Sequence, residues 1–271
     1  MLEQPLDVVT GAVLIGKIVG ASRIVIGVED NKPDAIAALS AMVPSEIAVS
    51  VCASRYPQGS ERQLVEALTG RTVPTGKLPL HVGVVVQNVA TAVACSDAIR
   101  YRRPLIDRTI TVAGSGIARP ANLRVPIGTS VKDVIAACGG LHPRAAKVIA
   151  GGPMMGRALG RLDVPIIKST GGLIVLRADE IRRATYGPCI SCGRCLEACP
   201  LGLEPNAISI YTEAGRALET EPFGTRECFE CGCCAFVCPS QRPLVQFIQT
   251  AKAAFSTGSQ AGLAVRPGVA S

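Results

Sequence analysis

The sequence predicts a multidomain protein of mixed α/β and α+β class, in which a partial parallel α/β domain precedes a small α+β module and a helical, cysteine-rich domain. Three observations predict this division: a strand–helix–strand pattern near the N-terminus, a second group of strands around one helix, and two cysteine runs of identical spacing. We place the domains at residues 1–104, 105–177 and 178–254, with residues 255–271 as a flexible tail.

The first domain is built on one βαβ unit. A helix over residues 6–20 precedes a β-branched run at 23–28, which predicts a buried strand. Pro33 is suited to open a helix, and the next strand, at 46–51, is therefore parallel to the first. Helices at 61–69 and 88–101 and a strand at 82–86 follow. A doubly wound sheet has more strands before such a unit, so we expect the domain to be incomplete at its N-terminal side.

The second module combines strands with a single helix. We predict strands at 108–113, 122–126, 147–150, 166–168 and 172–176, and a helix at 130–138. Two strands, a helix and further strands are typical of a module of the β-grasp kind. The glycine-rich segment 151–156 lacks the Lys-Ser/Thr of a phosphate loop, so we interpret it as a tight connection. A helix at 178–184 leads into the third domain.

The third domain carries the most specific signal, because residues 189–200 and 228–239 each follow the pattern C-x2-C-x2-C-x3-C-P. This spacing is the bacterial signature for [4Fe-4S] clusters, in which three thiolates hold one cluster and the fourth ligates the other. Cluster 1 is therefore assigned to Cys189, Cys192, Cys195 and Cys238, and cluster 2 to Cys228, Cys231, Cys234 and Cys199. We expect helices over 205–218 and 243–254 to cover the clusters.

Other interpretations of the cysteines are weaker. Structural zinc requires neither the third cysteine at fixed spacing nor the proline, and a disulfide framework is typical of small secreted chains. Cys233 falls outside the spacing and is interpreted as a spare, buried hydrophobe. With Cys52, Cys95 and Cys138 it leaves four thiols outside the clusters, which indicates a reducing compartment. No catalytic residue is assigned.

Composition narrows the classes of function. The chain has 271 residues, of which 48% are hydrophobic and 3% aromatic, so the core is expected to be aliphatic. The net charge of +7 occurs without a Lys/Arg block, which argues against nucleic acid as a partner. A basic surface suits an acidic electron-transfer partner or anionic lipid headgroups. No apolar run reaches the length of a membrane span, and no signal peptide is recognised.

Several segments resemble the C subunit of the Rnf/Rsx ion-translocating electron transport complex. They are the two cysteine runs and residues 27–33, 55–59, 84–89 and 151–154. The family is similar to the flavin-carrying subunit of respiratory complex I, so the resemblance implies an α/β flavin domain, a soluble-ligand-binding β-grasp (SLBB) domain and a helical, ferredoxin-like domain with two [4Fe-4S] clusters. It implies electron transfer between an NADH/flavin site and ferredoxin, as a subunit of an ion-translocating oxidoreductase (a translocase).

The resemblance also implies a location and partners. The chain is expected to be peripheral, on the cytoplasmic side of the inner membrane, bound to other subunits of a membrane-bound Rnf-type complex and reaching ferredoxin indirectly. It has no span of its own. Two alternatives remain: a soluble flavin and iron–sulfur reductase similar to the cobalamin reductases, and a truncated, flavin-less cluster conduit.

The resemblance is incomplete for FMN and NAD(H). Family members carry a glycine-rich loop and an Asn-Gly-Ala-Glu-type segment that cradle these cofactors, because backbone N–H groups beside glycines can approach phosphates closely. Neither segment is present, so we expect an N-terminally truncated form. Tyr56, Gly59 and Asn88 match positions that line the flavin pocket in relatives, but they make a partial pocket, and no cofactor-binding residue is assigned.

Overall fold

The computed structural model of the chain describes residues 1–181 and 185–257. The chain divides into two compact units, Met1–Leu105 and Ile106–Ser271. Most of the predicted tail, from residue 258 onward, lies outside the described residues, as do residues 182–184 of the helix predicted at 178–184. Among the described residues, no helix combines the length and the hydropathy needed to cross a bilayer.

The first unit contains four α-helices and two strands: α1 (Pro5–Val19), β1 (Ile24–Glu29), α2 (Pro33–Ser40), β2 (Ile47–Cys52), α3 (Glu61–Thr69) and α4 (Val89–Tyr101). The βαβ prediction is confirmed, since β1 and β2 pair in parallel with Ile24 opposite Ile47. Proline opens both α1 and α2, where its fixed φ suits the first turn and its missing N–H is not needed. Leu39 and Val8 are among the side chains that α1, α2 and the two strands bury together.

The strand predicted at 82–86 is wrong. A 3₁₀ turn occupies Pro79–Val82, and the Val84 N–H donates to the Pro79 carbonyl oxygen at 3.1 Å rather than to a neighbouring strand. A short apolar run does not distinguish a strand from a buried turn, because either one satisfies the burial that the pattern reports.

In the second unit, one mixed sheet supports the first module. Its elements are β3 (Asp107–Ala113), β4 (Ala121–Pro126), α5 (Val131–Ala137), β5 (Ala145–Ala150), β6 (Arg157–Ala158) and β7 (Gly172–Arg177). The strand order is β4-β3-β7-β5-β6, in which β3 and β7 are parallel and the other neighbours antiparallel. The Ser130 hydroxyl oxygen accepts from the Asp133 N–H at 3.1 Å, which caps α5 and fixes where the helix begins.

The core of this module is aliphatic, as the composition predicted. Val112, Leu173 and Val175 of the central strands are fully buried against Val134 and its neighbours on α5. The strand predicted at 166–168 is wrong. Ile166 is buried, but its N–H bonds to the Thr129 carbonyl oxygen of the loop before α5, and only an isolated bridge joins Ser130 to Pro165. The two-residue strand β6 was not predicted.

Helices and loops make up the rest of the second unit, as far as its residues are described. Its elements are a 3₁₀ turn at Ala178–Glu180, α6 (Arg194–Glu197), α7 (Pro205–Glu213), a 3₁₀ stretch at Ala217–Phe223, α8 (Cys233–Val237) and α9 (Leu244–Thr257). Only the 3₁₀ turn lies in the described part of the helix predicted at 178–184. α7 and α9 pack through Ile208, Ile248 and Ala251, all fully buried. The cysteine runs lie before and between these two helices.

Candidate metal centre

The two cysteine runs fold as a structural repeat. In each run, the second residue after the first cysteine is left-handed: φ is +53° at Ser191 and +63° at Glu230. Gly193 and Gly232 are left-handed at the next equivalent position, at +77° and +84°, and a short helix follows each of them. A left-handed non-glycine residue costs roughly 1–2 kcal/mol, so its recurrence at equivalent positions indicates that both loops are shaped for the same task.

The first three cysteines of the first run meet the last cysteine of the second run. Cys189, Cys192, Cys195 and Cys238 together line one cavity, which we call cavity 1. Cys195 lies on α6 and is buried, whereas Cys192 lies on the loop and is exposed. Cys238 lies at the C-terminal end of α8, as its C-cap residue.

The reciprocal grouping occurs at the second run. Cys228, Cys231 and Cys234 line a second cavity, cavity 2, together with Cys199 from the first run. Cys231 and Cys234 are both buried. The structure therefore brings together the two sets of four thiols that the spacing assigned, with the fourth cysteine exchanged between the runs. That these thiols bind iron stays a prediction.

The size of each site matters for the choice of metal. Among the described residues, no three His, Cys, Asp or Glu side chains are grouped closely enough to hold a single metal ion. Four ligands of one zinc ion converge on a point, whereas the thiolates of a cubane surround a body of eight iron and sulfide atoms. A cubane in each of the two cavities stays a prediction.

Backbone N–H groups point at several of the sulfur atoms. The Leu203 N–H donates to Cys199 Sγ at 3.4 Å, and the Glu230 N–H donates to Cys228 Sγ at 3.3 Å. The Asn206 N–H donates to the sulfur of Cys195. Such donors orient the ligands of a cluster and stabilise negative charge on sulfur, so the loops that carry the cysteines also help to hold them in place.

Burial raises the pKa of three of the cysteines that line the cavities. It raises the pKa of the Cys195 and Cys228 thiols, and it raises the pKa of Cys234 to about 12, with neighbouring thiols adding to the effect. These cysteines are therefore neutral thiols at pH 7 when no metal is bound. Binding of a metal or cluster must release their protons, because the thiolate is the ligand.

Cys233 does not line cavity 2, but it is partly buried rather than buried as predicted. Burial and a hydrogen bond with Cys231 raise the pKa of its thiol to about 11. The glycine-rich segment 151–156 has a role that the sequence did not indicate. A Cβ on Gly232 would lie 3.0 Å from the Met154 carbonyl oxygen, so this segment packs directly on the loop of the second run.

Three protein-family models match successive parts of the chain. The Nuo51 FMN-binding domain matches residues 1–97, the SLBB domain matches residues 109–158, and the 4Fe-4S dicluster domain matches residues 188–241. The last of these contains all eight cysteines that line the two cavities. The chain is thus associated with iron–sulfur and flavin cofactors.

Curated relatives align with most of this chain. The C subunit of the proton-translocating ferredoxin:NAD(+) oxidoreductase complex of Clostridium ljungdahlii is 46% identical over 211 residues, which cover 78% of this chain and 46% of the relative. The C subunit of the ion-translocating oxidoreductase complex of Rhodobacter capsulatus is 41% identical over 259 residues, covering 94% and 50%. The chain is a homologue of the C subunit of the ion-translocating oxidoreductase complexes.

A third relative comes from a sodium-translocating complex. The C subunit of the Na(+)-translocating ferredoxin:NAD(+) oxidoreductase complex of Acetobacterium woodii is 40% identical over 254 residues, which cover 93% of this chain and 57% of the relative. This C-subunit homologue spans about half the length of the curated relatives it matches.

The residues that resemble a flavin pocket lie at a helix cap and on a loop. The Asn88 side-chain oxygen accepts from the Ala90 N–H at 2.9 Å and caps α4. Tyr56 is half exposed on the loop that follows β2, and Gly59 lies further along this loop. All three positions lie within the part of the chain that the Nuo51 FMN-binding model matches.

The raised pKa values predict an order of reactivity in the metal-free chain. Iodoacetamide at pH 8 should modify exposed Cys192 at least about tenfold faster than Cys234, because only the thiolate reacts and Cys234 keeps its proton up to a pKa of about 12. Each unit of rising pH should speed the Cys234 reaction about tenfold until that pKa is approached. Mass spectrometry of quenched digests measures both rates. Equal rates at pH 8 would contradict the buried position of Cys234.

Proposed function

We propose that the chain is an electron-transfer subunit of a membrane-bound, ion-translocating oxidoreductase, carrying electrons between an NADH/flavin site and ferredoxin through two [4Fe-4S] clusters. The observation that supports it best is the exchanged grouping of eight thiols around two cavities. Each cluster, when bound, supplies one-electron transfer at a potential that its surroundings set. A site of this kind works without a catalytic acid or base, because the electron moves without a proton.

The protein residues around the cavities have separate tasks. The eight cysteines hold the metal, and backbone N–H groups such as that of Leu203 orient the sulfur atoms. Apolar side chains keep water from cavity 2, where Leu203, Ile208 and Ile248 contribute to the lining. Exclusion of water limits the reorganisation that accompanies electron transfer and protects sulfide from hydrolysis.

The relatives support the rest of the proposal. They are named as parts of proton- or Na(+)-translocating ferredoxin:NAD(+) oxidoreductase complexes. We propose that this chain binds the other subunits of such a complex and reaches ferredoxin indirectly. We also propose that it is peripheral, on the cytoplasmic side of the inner membrane. The division into a partial α/β flavin-type domain at 1–104, a β-grasp domain at 105–177 and a ferredoxin-like domain at 178–254 belongs to the same proposal.

Anaerobic reconstitution with iron and sulfide tests the central claim. We expect about eight irons and about eight sulfides per chain, from two clusters of four each. Zinc bound instead of iron, in a preparation offered both metals, would overturn the proposal. A flavin count on the same sample, after incubation with FMN, distinguishes two versions of the proposed function. One FMN per chain supports a complete oxidoreductase unit, and none supports a conduit between partners.

A further inference from the structure

The structural repeat extends beyond the cysteines and pairs two unlike residues. Gly202 and Gln241 are both left-handed, at φ +64° and +51°. Each donates its N–H to the carbonyl oxygen of the fourth cysteine of its run at 3.1 Å. The residues that follow them, Leu203 and Arg242, are therefore structural equivalents. Leu203 lines cavity 2, whereas Arg242 lines cavity 1.

Arg242 is a buried cation held on several sides. Its side chain is 3% exposed, and its guanidinium forms an ion pair with Glu213. The same group reaches Ser209 Oγ and the Gly187 carbonyl oxygen, each at 3.4 Å. It also lies 5.2 Å from the centre of the Phe247 ring. These contacts fix the position of the charge and leave it little access to water.

The ion pair is oriented with its positive end toward cavity 1. Glu213 does not line the cavity, and its side chain is 39% exposed, so water screens the carboxylate more than the guanidinium. A cubane held by four thiolates is negatively charged and becomes more so on reduction. A fixed cation at its edge therefore stabilises the reduced form more than the oxidised form.

Cavity 2 has balanced rather than positive electrostatic surroundings. The charged side chain in its lining is Glu230, a carboxylate that pairs with Lys252 at 2.8 Å. The Lys252 ammonium also donates to the Cys228 carbonyl oxygen, so the cation beside cavity 2 is matched by a carboxylate in the lining of the same cavity. Cavity 1 is also the more accessible to solvent. Cys192, the second cysteine of its run, is exposed, whereas Cys231, its equivalent at cavity 2, is buried. Solvent also favours the more highly charged, reduced cluster.

We propose that Arg242 sets the order of the two reduction potentials, so that cluster 1 has the higher potential and holds the electron when the pair shares one. The inference about the two potentials rests on the proposed function. The step is the movement of one electron from reduced cluster 2 to oxidised cluster 1, with no bond made or broken and no proton transferred. Arg242 raises the reduction potential of cluster 1 through its charge, and it is not a ligand of the cluster.

A redox titration of the reconstituted chain, followed by electron paramagnetic resonance, tests the proposal. Arg242→Met removes the charge and gives cavity 1 the apolar character that Leu203 gives cavity 2. We expect the higher of the two midpoint potentials to fall by about 59 mV, which is a tenfold change in a one-electron equilibrium constant. The lower midpoint should not move. Arg242→Lys is the matched control that keeps the charge, and it should restore most of the wild-type value.

A second variant keeps the test decisive where Arg242→Met impairs folding. Glu213→Gln leaves the buried cation in place but removes its counter-charge, so the higher midpoint should rise while the lower one stays unchanged. Midpoints that stay the same in both variants, or a shift confined to the lower one, would overturn the inference. Iron and sulfide counts on each sample separate this result from failure of the proposed function, which would show as wild-type protein without clusters.

Discussion

Replacing Cys238 with serine is expected to remove the cluster of the first cysteine run while leaving that of the second run in place. The reason is the exchanged grouping, in which Cys238 lines cavity 1 although it belongs to the second run. Iron should fall from about eight to about four per chain. Anaerobic alkylation identifies the lost cluster, because the first three cysteines of the first run should become reactive and those of the second should stay protected.

The reciprocal change and a matched control complete this test. Cys199→Ser should release the first three cysteines of the second run, since Cys199 lines cavity 2. Cys233→Ser, at the neighbouring thiol outside that lining, should keep all eight ligands protected and the iron content unchanged. If Cys238→Ser instead exposed the cysteines of its own run, each run would hold its own cluster and the exchanged grouping would be wrong.

Gly114→Ala is expected to destabilise the sheet module of the second unit by about 3 kcal/mol. Gly114 lies just after β3 with φ at +105°, a conformation that side chains rarely adopt. An added Cβ would also lie 2.9 Å from the backbone nitrogen of Val175 on β7, and closer still to its carbonyl oxygen. Since β3 and β7 are the central strands, neither can move without disturbing the buried core.

Gly171→Ala provides the comparison within the same module. A Cβ on Gly171, just before β7, would meet nothing within 4 Å. Urea unfolding followed by circular dichroism should show a lowered midpoint for Gly114→Ala and an unchanged midpoint for Gly171→Ala. Equal midpoints for Gly114→Ala and the wild type would show that the turn after β3 can relax away from Val175.

The sequence predicted much of the fold where local signals agreed. The βαβ unit followed from two β-branched runs around a proline-initiated helix, and the helix predicted at 130–138 is present as α5. The strands predicted at 82–86 and 166–168 failed for one reason. Hydrophobic periodicity reports burial, but a strand also needs a partner for its N–H and C=O groups, and the partner lies elsewhere in the chain.

The candidate ligands were the part of the site most open to prediction from sequence. Their spacing is a covalent property of the chain, so the C-x2-C-x2-C-x3-C-P pattern limits which thiols can surround one body and which must reach another. The sequence by itself therefore determined a prediction of two groups of four cysteines, with Cys233 outside both, and the linings of the two cavities contain the same groups.

Only the tertiary structure decided what surrounds those groups. Met154 packs on the second run from a segment that no local pattern places there. Arg242 and Leu203 are equivalent in the repeat, yet one brings a buried charge to cavity 1 and the other an apolar chain to cavity 2. The physical reason is that electrostatic energy depends on distance through space and on access to water, neither of which is encoded in the spacing of residues along the chain.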